Sequence, residues 1–157
     1  MPSRSRFNLR YLWLPGALSG ALLLPCVASA TLGEPEASVQ TDAAQLKGSI
    51  KVTQRVAYRV QELQLPSGTA LREYVSLTGS VFAVAWNGPH MPNLRQTLGQ
   101  YFDTYVTAAK GKRTGHNHVQ VQLDELVVQI SGHMREFTGR AYLPKAVPAG
   151  VSIGDLS

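Results

Sequence analysis

The strongest periodicity in the chain is helical: Leu94, Leu98, Tyr101, Phe102, Tyr105, Val106 and Ala109 recur at the spacing of one helix face. This predicts a long amphipathic helix over about Asn93 to Ala109. Asn93 is a fitting N-cap, and Gln96 three residues on completes the pattern of a capping box. Gly111 ends the helix, and Lys110, Lys112 and Arg113 lie where cations favour its negative end.

Elsewhere the period is two. From Lys51, Val56, Tyr58 and Val60 alternate with Arg55, Arg59 and Gln61, which predicts a half-buried strand. Leu65-Pro66-Ser67-Gly68 then turns the chain into a returning strand from about Thr69 to Leu77, and Thr78-Gly79 turns it again. The run Val81 to Trp86 has no polar face, so Ser80 to Trp86 is expected at the centre of the sheet, covered on both sides. The prolines and glycine of Asn87-Gly88-Pro89-His90-Met91-Pro92 make a shaped loop. After the helix, Val119, Val121 and Leu123 alternate with His118, Gln120 and Gln122. Asp124-Glu125 turns into a strand from Leu126 to Ile130, and another strand runs from about Phe137 to Leu143.

Before all of these, Val39, Ala43 and Leu46 form one stripe after Glu34-Pro35-Glu36, which predicts a short helix from about Pro35 to Leu46, stopped by Gly48. The fold expected is α+β: a mainly antiparallel sheet of about five to six strands, one long amphipathic helix and a short N-terminal helix. Residues 31–144 make the single domain. The tail 145–157 has little periodicity and is expected to be loosely held.

The first 30 residues fit none of these patterns. Arg4, Arg6 and Arg10 precede an apolar run from Tyr11 to Val27 that is broken by Pro15, Gly16, Gly20 and Pro25 and followed by Ala28-Ser29-Ala30. This is the pattern of a secretory signal peptide over residues 1–30, with cleavage between Ala30 and Thr31. A retained membrane anchor is disfavoured by the short run and its small-residue end, and lipidation of Cys26 by the preceding Pro25. The reading implies an exported protein, periplasmic or extracellular, that meets the membrane only through its leader.

That assignment changes the meaning of the charge. The chain of 157 residues carries 15 Lys and Arg against 10 Asp and Glu, but three of the cations and none of the anions lie in the leader. The remainder is close to balanced, and its only basic cluster is Lys110, Lys112 and Arg113, so a nucleic-acid partner is not expected. The single cysteine leaves with the leader, and a cysteine-free mature chain has neither disulfides nor thiolate chemistry.

Three blocks, LPSGTALREYVS (65–76), VFAVAWNGPHMPNLRQTLGQYF (81–102) and SGHMREFTGRAYLP (131–144), resemble a bacterial exported family, domain of unknown function 2844. The likeness runs in the same order over nearly all of the mature chain, after a similar leader. It implies no activity, so function rests on side-chain chemistry.

His90-Met91 and His133-Met134 are two pairs of imidazole and thioether donors suited to copper if their loops converge, and they define a copper or zinc carrier as one alternative. His116 and His118 offer half a metal site in a segment that reads as loop. Ser131 and His133 share a strand face, with Glu136 or Asp124 as the orienting acid, and define a hydrolase using His133 as another. No Gly-x-Ser-x-Gly elbow supports it. The preferred reading is a non-catalytic binding or accessory protein of the periplasm or envelope, without a cofactor, whose partner is an envelope protein or ligand. Trp86, His90, Met91, Arg135 and Arg140 are its candidate binding residues: an aromatic anchor, a soft side chain and planar cations, beside a proline-stiffened loop.

Overall fold

The computed structural model describes residues 32–35, 50–110 and 118–156. The expected leader, His116, and all of the expected N-terminal helix except Pro35 lie outside the described residues. Pro35 itself forms an isolated antiparallel bridge with Ser80.

The alternating segment after Ile50 does not run straight. It is a hairpin of β1 (Ile50–Gln54) and β2 (Tyr58–Gln64), closed where the Arg55 amide donates to the Tyr58 carbonyl at 2.8 Å. Val56 stands 98% exposed in the turn. The returning strand and the apolar run are β3 (Ala70–Ser76) and β4 (Val81–Gly88). Beyond the helix come β5 (His118–Gln122), β6 (Val127–His133) and β7 (Glu136–Tyr142). The described residues thus form seven strands rather than five or six. They make one sheet in the order β1-β2-β3-β4-β7-β6-β5, with every pairing antiparallel.

β4 is the middle strand, as its lack of a polar face implies. On it Val81 opposes Val75 and Ala83 opposes Tyr74, leaving Phe82 as the extra residue of a β-bulge. The bulge puts Phe82 and Ala83 on one face, while Val84 and Trp86 point to the other.

That second face is the larger core. Leu63, Leu71, Val84, Trp86, Val128 and Ala141 pack there with Leu98 from the helix and Leu32 from the N-terminal segment. The helix is capped as its sequence implies: Asn93 Oδ1 accepts from the amides of Arg95 at 3.1 Å and Gln96 at 3.4 Å. It is not continuous. α1 (Leu94–Leu98) stops at Gly99, whose φ of 50° and ψ of −123° lie outside helical space, and a 3-10 turn (Gly99–Tyr101) leads into α2 (Phe102–Ala109). Leu98 is fully buried, whereas Tyr101, Phe102 and Tyr105 are half-buried along the rim. Burial there pushes the Tyr105 phenol above its ordinary pKa of 10.0.

The other face is half apolar. Tyr58, Tyr74 and Phe82 form a cluster with ring centroids 5.9 to 6.3 Å apart. The C-terminal segment covers it through Val147, Val151, Ile153 and Leu156. Residues 145–156 therefore lie packed on the sheet rather than loosely held, and Leu156 is only 1% exposed. Their apolar side chains occur singly among prolines, glycines and a 3-10 turn (Ile153–Asp155), so no regular period announces their burial.

Candidate functional site

Among the described residues the C-terminal segment covers only part of its face. Beyond Leu156 the sheet presents two ladder rows whose members are mostly polar. Glu62, Arg72, Ala85, Arg140 and Gln129 stand side by side in one row, across β2, β3, β4, β7 and β6. In the next row Asn87, Thr138, Ser131 and His118 follow across β4, β7, β6 and β5. Antiparallel partners share a face, so these side chains all project to one side. They surround an open cavity of about 390 Å³, bounded by Arg72 and Arg140 and walled at one end by Leu156.

The hollow has a simple origin. The strand between the two arginines carries only Ala85 on this face. On the opposite, helix-covered face the sheet is tight: a methyl group at Gly139 would overlap the indole of Trp86, its ladder partner.

Each arginine is held from the side. Arg72 Nε donates to Glu62 Oε2 at 2.8 Å, a cross-strand ion pair. Arg140 Nε donates to Gln129 Oε1 at 2.7 Å, and its Nη1 donates to the carbonyls of Ile153 at 2.8 Å and Leu156 at 3.5 Å. Sheet and C-terminal segment thus fix one guanidinium between them. Asn87 Nδ2 donates to Thr138 Oγ1 at 3.0 Å along the second row.

The five candidate binding residues do not share one surface. Arg140 and Trp86 border the groove, but Trp86 is 1% exposed and its ring belongs to the helix-covered core. Its indole N–H has no acceptor among the described residues. His90 is exposed and turned toward the β2–β3 turn, with Nδ1 3.0 Å from the Ser67 carbonyl. Thr69 Oγ1 secures the same loop by donating to the His90 carbonyl at 2.7 Å. Met91 lines a separate cavity of about 240 Å³ with Leu65, Pro66 and Gln96. Arg135 occupies the two-residue turn between β6 and β7, at a φ of 62°.

The residues of the alternative readings are placed as follows. Met134 shares the turn with Arg135 and is fully exposed. Among the described residues, no three His, Cys, Asp or Glu side chains group as ligands. His133 opposes Glu136 at the last rung of the β6–β7 ladder, and Ser131 lies two residues earlier on the same face. No hydrogen bond joins the three, and Asp124 lies in the turn at the far end of β6.

Sequence patterns missed Arg72, Asn87, Gln129 and Thr138 as site residues. Alternation along each strand marks them as polar positions, but only the pairing of β4 with β7, across more than fifty residues of chain, makes them neighbours. The family model described as a protein of unknown function (DUF2844) matches residues 28–156. No curated protein and no solved structure matches the chain.

Proposed function

We propose that this chain, which belongs to the DUF2844 family, works as an exported, non-catalytic binding protein whose ligand or envelope partner docks in the sheet-face groove beside Leu156. One observation carries the reading: a folded C-terminal segment packs on the apolar half of the face through Val147, Val151, Ile153 and Leu156, and the polar half beside it surrounds a cavity bordered by a held arginine. A concave, largely preformed site with a few fixed polar groups is the usual form of a ligand pocket. Export is supported by the three arginines, the broken apolar run and Ala28-Ser29-Ala30 at the start of the chain.

The test is capture from envelope extracts by the immobilised protein. Thr138 is exposed, so Thr138→Trp fills the groove without entering the core. It is expected to abolish capture at an unchanged unfolding midpoint, whereas Met91→Trp, in the separate cavity, leaves capture intact. Capture that survives Thr138→Trp would overturn the assignment to the groove.

A further inference from the structure

We infer that the groove takes a small organic anion, its carboxylate or phosphate oxygens seated on Arg140 and its carbon body against Leu156. The inference rests on the binding role proposed for the groove and names the chemistry of its ligand. It starts from an imbalance of charge. Arg72 and Arg140 both border the groove, but the charge of Arg72 is met by Glu62 at 2.8 Å. Among the described residues all the acceptors on Arg140 are neutral: the Gln129 amide oxygen and the carbonyls of Ile153 and Leu156. A half-buried guanidinium with no carboxylate is a cation in want of an anion.

The same bonds make Arg140 a prepared binder. Nε and Nη1 are tied, so the planar fork is held in one orientation, while Nη2 makes no hydrogen bond among the described residues. Ordering of this long side chain is already complete before a ligand arrives. Guanidinium favours the paired oxygens of carboxylate and phosphate. Ser131 and Gln129 line the groove within reach of further polar groups on the ligand. At about 390 Å³ the space lies near the lower end of ligand pockets, which sets the ligand as a small molecule. Leu156 supplies an apolar wall.

The experiment is calorimetric titration of the full chain with benzoate, phenyl phosphate and neutral benzyl alcohol at pH 7. At least one anion is expected to bind saturably at one site, the tighter one identifying the headgroup, and the alcohol is expected not to bind. Arg140→Gln should weaken the anion by about tenfold or more, as loss of a charged hydrogen-bonding partner does. Lys145→Gln, the same charge change on an exposed residue outside the groove, should leave it unaltered. Equal weakening by both variants, or equal binding of the alcohol, would overturn the inference. Should Arg140→Gln fail to fold, Thr138→Glu places a carboxylate two positions away on the same face and must abolish anion binding; binding that persists is equally fatal. Failure of the two readings is distinguishable. If no anion binds but Thr138→Trp still blocks envelope capture, the anion is wrong and the groove stands; if Thr138→Trp blocks neither, both fall.

Discussion

Gly139 shows how a residue without a side chain makes room for its ladder partner. On the helix-covered face it leaves space for the Trp86 indole, which any Cβ would overlap. Gly139→Ala is therefore an overpacking change at the centre of the sheet. It should destabilise the fold by about 1–3 kcal/mol or more, read as a lowered denaturation midpoint at unchanged m-value. A change within a few tenths of a kcal/mol would show that Trp86 is free to move. A glycine inside a strand pattern is a legible signal of close approach, but the partner ring belongs to another strand and is not. Trp86 itself illustrates the same limit. Its place at the end of an apolar run fits a core residue or an anchor for a partner, and only its 1% exposure within the helix-covered cluster decides for the core.

At the scale of elements, periodicity located most strands and the helix, and it failed where a turn carries no turn residues. Val52, Val56, Tyr58 and Val60 all fall at even-numbered positions, with only Gln54 breaking the row, and no glycine or proline marks Arg55-Val56-Ala57. The hairpin nevertheless reverses the phase: Val52 opposes Gln61 and Thr53 opposes Val60, so the single expected strand becomes two. The helix makes the complementary point. Its apolar stripe is correctly placed, but Gly99 divides it, and depth along the stripe is uneven. Leu98 is 0% exposed, while the aromatic residues after Gly99 stay half-buried and the Phe102 ring carries the Arg95 guanidinium at 4.3 Å. Leu98→Ala should cost about 2–5 kcal/mol, as for a buried leucine. Phe102→Ala should cost less than that, and Gln100→Ala, on the exposed side, within about 0.5 kcal/mol. Chemical unfolding of the three variants measures the order, and equal losses would contradict the helical phase.

In the whole molecule, the C-terminal segment joins stability to the site. Leu156 seals the Tyr74 and Phe82 cluster, walls the groove and, with Ile153, offers the carbonyls that hold Arg140. Leu156→Ala is expected to lose about 2–5 kcal/mol of stability and to weaken ligand binding under conditions where the protein remains folded. Loss of stability with binding unaltered would separate the wall from the site. None of this coupling was legible from the sequence, because the segment lacks periodicity and the groove is assembled from strands far apart in the chain. Arg140 was legible as a candidate; its partner Gln129 and the hollow at Ala85 were not, since both depend on ladder register.

The central claim is that the open half of the sheet face, and not the His90-Met91 loop, meets the ligand or partner. Site-specific photo-crosslinking in the expressing cell tests it most directly, with a benzophenone side chain placed at position 138 in one variant and at position 91 in another. A covalent adduct from position 138 and none from position 91 is the predicted result. Adducts from position 91 alone would contradict the account.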